Sequence, residues 1–293
     1  MGKHFDLIFI STFCDLTNIG RLLASSANNN HNIFLGIVLV AQRNLELDII
    51  PFISDCTQVY VVQNDKMLGL SEARNVALQF IFENNLVSDY IMFPDDDSTY
   101  DSEFFNHFLT KVTGNTLIDV YATGSHQLFR PLKYQQDDVL SVKQYDAANS
   151  VNMIVDFSLV KAVGLFDEKM GVGSAHGAGE DGDYFIRCCK ASGKGFRYEK
   201  ALWNYHPLGD NKYKLMTLDQ LINRYKNYGR GVIYMLCKHK LYRSALNCIL
   251  SAFIGGIIAF VQLDFKLGIA RFYAFFTRVS MFTKLIFMHN DYC

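Results

Sequence analysis

Three consecutive carboxylates, Asp95-Asp96-Asp97, follow the apolar run Tyr90-Ile91-Met92-Phe93-Pro94. Acids gathered where a strand ends offer the hard oxygen ligands that Mg²⁺ or Mn²⁺ prefers, and a cation held there attracts phosphate. A second acidic cluster, Glu180-Asp181-Gly182-Asp183, follows a glycine-rich stretch far down the chain. Together they suggest a metal-bound diphosphate and a separate general base, the equipment for group transfer from a nucleotide-activated donor. Between a strand-like and a helix-like run lies Gly69-Leu70-Ser71-Glu72-Ala73-Arg74-Asn75. Here Ser71 reads as an N-cap, the helix start offers free N–H groups to an anion, and Arg74 can fork onto phosphate. The same segment also reads as an ordinary capped helix with a surface arginine.

These residues need a scaffold, and the N-terminal half alternates as a parallel sheet requires. Strands are expected over 6–13, 33–41, 57–62 and 89–93, and helices over 18–27, 71–83 and 101–112. Such sheets, covered by helices on both faces, bind ligands at the carboxyl ends of their strands, where the acidic triplet falls. From Leu117 to Val155 the pattern shifts to strand-like pieces with polar interruptions, and a further helix is expected over 180–191.

With 293 residues, half of them hydrophobic, the chain can bury a large core, which excludes a disordered protein. The net charge of -1 supplies no basic field for nucleic acid. Seven cysteines, odd in number and without a CxxC pair, point to a reduced cytoplasmic compartment. The opening Met1-Gly2-Lys3-His4-Phe5-Asp6 lacks the features of a signal peptide.

In order along roughly the first 210 residues, the motifs resemble the inverting glycosyltransferases of family 2, which have the GT-A fold. They are Ile10-Ser11-Thr12-Phe13, Gly69 to Asn75, Pro94-Asp95-Asp96-Asp97, Val163-Gly164-Leu165-Phe166-Asp167-Glu168, Gly179-Glu180-Asp181-Gly182-Asp183 and His206. The resemblance implies transfer of a sugar from a nucleoside diphosphate to a hydroxyl, with inversion at the anomeric carbon. It implies that Thr12, Arg74, Asn75, Asp95 and Asp96 face the nucleotide-sugar, although Asp96 also reads as a solvated or structural acid. Asp97 would hold Mn²⁺ or Mg²⁺, joined by His206, unless that histidine is structural. Asp181 would be the base, with Glu180 and Asp183 binding acceptor hydroxyls or capping the following helix. The second strand departs from the pattern: Leu39-Val40-Ala41-Gln42-Arg43-Asn44 has no acid to read the nucleobase, and Asp65 is either a substitute or a turn residue. The stretch from Gly171 to Gly179 reads as an acceptor-side loop or a permissive connector, and His176 as incidental and exposed.

The division expected is a GT-A domain over 1–230, with hydrophobic and amphipathic helices over 231–293. Ser244 to Leu263 carries no charge over a length that spans a bilayer. Phe272 to Phe287 mixes aromatics with Arg278 and Lys284, as an interfacial helix does. Either the two lie in or dip into the cytoplasmic leaflet of the inner membrane, peripheral or monotopic, or they form a helical hairpin on the catalytic domain or in an oligomer interface. The basic segment Arg224-Tyr225-Lys226-Asn227-Tyr228-Gly229-Arg230-Gly231 resembles the stretch before membrane-associating helices in polysaccharide-building members of the family. That resemblance implies a glycan or polyprenyl-diphosphate-linked acceptor in bacterial surface-polysaccharide (O-antigen or capsule) assembly. A sugar nucleotidyltransferase would need a glycine- and basic-rich loop after the first strand, which Ser11-Thr12-Phe13-Cys14-Asp15 does not supply. A glycosidase would need neither a metal nor the triplet. A non-catalytic scaffold is opposed by the retention of both Asp97 and Asp181.

Overall fold

The computed structural model describes residues 3–129, 131–208 and 210–290. Met1, Gly2 and Cys293, used in the sequence reading, lie outside them. The other six cysteines are free thiols. Contacts divide the chain into two compact units: Met1–Phe166 with Tyr184–Leu208, and Asp167–Asp183 with Gly209–Cys293.

The first unit opens with β1 (His4–Phe13) and α1 (Leu16–Ser26), then β2 (Leu35–Gln42), β3 (Thr57–Asn64), α2 (Leu70–Glu83), β4 (Val87–Met92) and α3 (Ser102–Lys111). After β5 (Thr116–Ala122) come β6 (Val139–Leu140), β7 (Met153–Asp156) and α4 (Phe157–Val163). The helix α5 (Glu180–Ser192) starts in the second unit and from Tyr184 onward belongs to the first, which closes with β8 (Phe196–His206). The eight strands form one sheet in the order β3-β2-β1-β4-β7-β5-β8-β6. Pairing is parallel from β3 through β4 and between β5 and β8, whereas β7 runs antiparallel to both its neighbours.

Every residue of β2 is buried, as its unbroken Ile, Val and Leu run requires of a strand covered on both faces. One face of the sheet packs on α1 and α3 through Phe9, Phe13, Leu22, Phe104 and Phe108, with the Phe9 and Tyr100 rings stacked. Helix starts differ in two places from the sequence reading. Asp15 caps α1 by accepting from the Thr17 and Asn18 amides, so that helix begins earlier than expected. The N-cap of α2 is Gly69 and not Ser71, which lies buried inside the first turn.

In the second unit, α6 (Asp210–Leu215) and α7 (Leu218–Lys238) precede α8 (Tyr242–Val261) and α9 (Phe265–Asn290). A full capping box at Thr217 and Gln220 sets the start of α7. The helices α8 and α9 fold back on each other, and Gly255 and Gly256 leave room for Arg271 and Phe272 of α9. The glycine pair that interrupts the apolar run is thus where a helical neighbour approaches. By length and composition α8 is able to cross a membrane, yet only 28% of its most apolar window is buried in the protein. Its outward stripe, including Leu246, Leu250, Ile254, Ile257 and Val261, is between 45% and 77% exposed.

Candidate functional site

The acidic triplet leaves the carboxyl end of β4 in a tight turn, closed by the Ser98 amide donating to the Asp95 carbonyl at 3.0 Å. Two backbone hydrogen bonds of 2.9 Å between Thr99 and Tyr205 then tie this turn to the last residues of β8. Asp101 reinforces the tie. One of its oxygens caps α3 at the Phe104 amide, and the other accepts from the Tyr205 hydroxyl at 2.9 Å and from Trp203 Nε1 at 3.1 Å. The result places His206 over the triplet, its Nε2 3.1 Å from Asp97 Oδ1 and 3.3 Å from Asp95 Oδ2.

Asp95, Asp97 and His206 each present one ligand atom, all within 4.8 Å of one another. His206 Nδ1 lies 2.9 Å from the Pro207 carbonyl. A neutral imidazole therefore keeps its proton on Nδ1 and aims the Nε2 lone pair at two carboxylates. That arrangement is repulsive by itself and favourable around a divalent cation, and a backbone carbonyl holding the far nitrogen is the usual support of a metal-binding histidine. Two oxygens and one nitrogen suit Mn²⁺ or Mg²⁺, so the residues present fit the ion. The sequence reading paired Asp97 with His206 and assigned Asp95 to the donor. The geometry brings Asp95 into the same cluster.

Without an ion the cluster compensates with protons. Burial by itself would lower the His206 pKa, but hydrogen bonds and charge attraction from Asp95 and Asp97 outweigh it and raise it to about 10. Asp95 shows the reverse balance. Burial pushes it up, while the His206 hydrogen bond and the Arg74 charge prevail and leave it lowered. Asp96 is raised to about 7 by burial first and then by the charges of Asp97, Asp95 and Asp15.

Arg74, only 2% exposed, sits on α2 with Nη2 3.6 Å from Asp95 Oδ1 and its guanidinium over the Phe166 ring. It is thus a buried counter-charge to the triplet and not the surface arginine of the bland alternative. Asn75 is the next residue of α2. Its amide is buried, donating to the Phe166 carbonyl at 3.0 Å and accepting from the Phe166 amide at 2.7 Å, so it clamps that residue in place. Thr12 accepts from Gln42 Nε2 at 2.9 Å, and Gln42 Oε1 in turn accepts from the Leu68 amide at 2.6 Å. The missing acid at the end of β2 is therefore replaced by an amide that joins β1, β2 and the approach to α2. Ser150, which nothing in the local sequence singled out, donates to Asp95 Oδ1 at 3.3 Å.

The second acidic cluster forms the first turn of α5, where negative charge complements the helix dipole. Glu180 is 8% exposed and Asp181 is partly exposed. Asp183 is fully buried, 2.8 Å from both Lys238 Nζ and His239 Nε2, and Lys238 also reaches Asp167 at 2.7 Å. Burial would lower the Lys238 pKa, but the two carboxylates reverse this and raise it. Asp183 therefore ties the first turn of α5 to the end of α7 within the second unit. A pairing across such a sequence separation leaves no local signal in the sequence. His176, expected to be incidental, stacks on Tyr234 at 4.2 Å between ring centroids. The glycine-rich stretch is pinned as well. Gly179 has φ of +96° and faces the carbonyl of Gly231, and a side chain on Gly231 would overlap the backbone of Ala178.

No protein-family model and no curated protein sequence matches the chain. Solved structures do. S. aureus TarS aligns at 14% identity with a TM-score of 0.53, over 80% of this chain and 43% of that one, so the chain spans less than half of that structure's length. S. aureus TarS 1-349 in complex with UDP-GlcNAc aligns at 13% identity and TM-score 0.54, over 80% and 72% of the two chains. The mannosyltransferase PcManGT from Pyrobaculum calidifontis, in complex with GDP-Man and Mn²⁺, aligns at 11% identity and TM-score 0.51, over 95% and 74%. The chain has the GT-A fold. Within that GT-A fold the Asp95, Asp97 and His206 cluster occupies the strand ends of the sheet, where open α/β sheets take their ligands.

Proposed function

We propose that the protein is an inverting glycosyltransferase of the family 2 type, moving a sugar from a nucleoside diphosphate to a hydroxyl of a glycan or lipid-linked glycan acceptor. The observation that carries this reading is the cluster of Asp95, Asp97 and His206 at the strand ends of a GT-A sheet. Solved structures of similar fold hold UDP-GlcNAc in one case and GDP-Man with Mn²⁺ in another, which supports a nucleotide-sugar donor here.

A bound Mn²⁺ or Mg²⁺ would neutralise the charge that builds on the departing nucleoside diphosphate. The chain's own residues do the rest. Asp95 and Asp97 fix the ligand oxygens, and His206 is held in the receptive tautomer by Pro207. Arg74 balances the carboxylates from behind, and Asp96 lies beside the donor phosphates. Asp181 takes the proton from the acceptor hydroxyl as it attacks, with Glu180 beside it. The exposed apolar stripe of α8 supports attachment to a membrane, which this reading takes to be the cytoplasmic face of the inner membrane in bacterial surface-polysaccharide assembly.

The decisive experiment is calorimetric binding of UDP, GDP and dTDP to the purified protein, with and without Mn²⁺, beside an Asp97→Ala variant. Tight metal-dependent binding of one nucleotide, lost in the variant, is the expected result. Folded protein that binds none of the three would leave the scaffold reading in its place.

A further inference from the structure

The second unit contains a cavity of about 630 Å³ with no role in the chemistry so far described. Its wall carries four cations, Lys214, Arg224, Lys266 and Arg278, against one acid, Asp264. Asp264 Oδ1 accepts from the Leu267 amide, Lys266 Nζ donates to the Met216 carbonyl and Arg278 Nη1 to the Cys248 carbonyl; none of these bonds cancels a charge, so the wall keeps its cationic excess. Arg224 is held between the Tyr213 and Tyr228 rings, 4.7 Å from each centroid, and donates to both hydroxyls. A guanidinium fixed in this way loses little conformational freedom when it meets an anion. The rest of the lining is largely apolar. A cavity that pairs a cationic excess with apolar walls suits an organic phosphate better than a free inorganic ion.

Two further observations define the rest of the ligand. Gly177 packs against Asn227 and Gly179 against the Gly231 carbonyl, so the turn leading into Glu180 and Asp181 runs along α7 on either side of Tyr228, a cavity-wall residue, and both carboxylates add to the rise that burial gives its pKa. At the turn into α9 the chain alternates. Asp264 and Lys266 line the cavity, while Val261, Leu263 and Phe265 are 77%, 74% and 55% exposed. The cations therefore adjoin an outward apolar tip, the pairing that meets a lipid headgroup at a membrane surface.

We infer that this cavity binds the phosphate of a lipid-borne acceptor, with Arg224, Lys214 and Lys266 on the phosphate and the accepting hydroxyl turned toward Asp181. The inference rests on the glycosyltransferase reading and names the acceptor class of that same site.

The test is direct binding to the full chain of three probes: farnesyl phosphate, farnesol and glycerol 3-phosphate. The lipid phosphate should bind at least tenfold more tightly than either of the others, with Lys214→Glu, on an exposed side chain, weakening it at least fivefold. Arg224→Ala should weaken it further, and Lys214→Glu keeps the test valid if that variant misfolds. Metal-dependent nucleotide binding should be unchanged in Lys214→Glu. Equal affinity for farnesol would overturn the phosphate site, and equal affinity for glycerol 3-phosphate would overturn the lipid source. No probe bound by protein that still binds nucleotide would overturn the inference and leave the glycosyltransferase reading standing. Failure of nucleotide binding alone would strike that reading and not the cavity.

Discussion

The Nε2 atom of His206 lies 3.1 Å from Asp97 Oδ1, while its other ring nitrogen rests against the carbonyl of the next residue. Without metal the imidazole holds a proton up to about pH 10, and a bound cation must displace it. Mn²⁺ binding at pH 8 should therefore release about one proton, measured as the dependence of calorimetric heat on buffer ionisation enthalpy, and affinity should climb with pH toward 10. The sign for stability is opposite. The raised pKa contributes stability that is fully present below the unfolded value of 6.5 and lost as pH rises through about 10. In chelator, His206→Ala should narrow its stability deficit over that window.

Asp96 provides a second pH test. Its pKa is raised from 3.8 to about 7, so the native state binds its proton more tightly than the unfolded chain, and that advantage disappears as pH rises through 7. Asp96→Asn in chelator should be about 1–2 kcal/mol more stable than the parent at pH 8, after allowance for solvent screening, and little different at pH 3.5. Melting curves at the two pH values decide it, and an equal shift at both would refute the assignment.

Asp181→Asn should lower kcat by roughly 10²–10⁴-fold and leave nucleotide affinity intact, because a general base acts on the acceptor and does not hold the donor. A matched loss of nucleotide binding would move Asp181 out of that role.

Asp183 is fully buried against His239 and shares Lys238 with Asp167, so removing its charge leaves that partly exposed ammonium with one carboxylate where it had two. Asp183→Asn should cost about 1–2 kcal/mol in urea unfolding, because Asp167 and solvent still serve Lys238, and Asp183→Leu paired with Lys238→Met should recover part of it. Additive losses would show that the two residues do not form a unit.

Gly231→Ala should destabilise the second unit although it lies inside a helix. Alanine gains about 1 kcal/mol of helix propensity there. The added carbon meets the backbone of Ala178, which cannot rotate away, and overpacking of that kind costs about 1–3 kcal/mol. A variant at least as stable as the parent would show that the Gly171 to Gly179 stretch moves freely.

Much of the first unit could be read in advance because its signals are local. The buried run of β2 and the strand, triplet and helix at 87–111 are each written within a dozen residues. Asp97 is flagged by the carboxylate triplet itself, and His206 only by resemblance to a motif. Other roles depend on distance. The sequence leaves Arg74 either a phosphate fork or a surface arginine, and only the fold puts Asp95 and Phe166 beside it; it likewise gives no hint that Phe166 meets both ends of the Asn75 amide. The position of β7 was equally hidden, since an antiparallel strand inserted between β4 and β5 is fixed by pairing partners and not by its own four residues.

The tie between Thr99 and Tyr205 has a consequence in time. Synthesis delivers Asp95 and Asp97 early, but His206 stands at the end of the last strand, which is connected to β4 in the sheet through β7 and β5. Long-range closures of this kind come late in folding. A nascent or truncated chain that stops short of β8 holds Asp95 and Asp97 but not His206, and so lacks the complete cluster. The ability to capture metal would therefore mark chains that have finished folding, and unfinished ones would stay chemically silent.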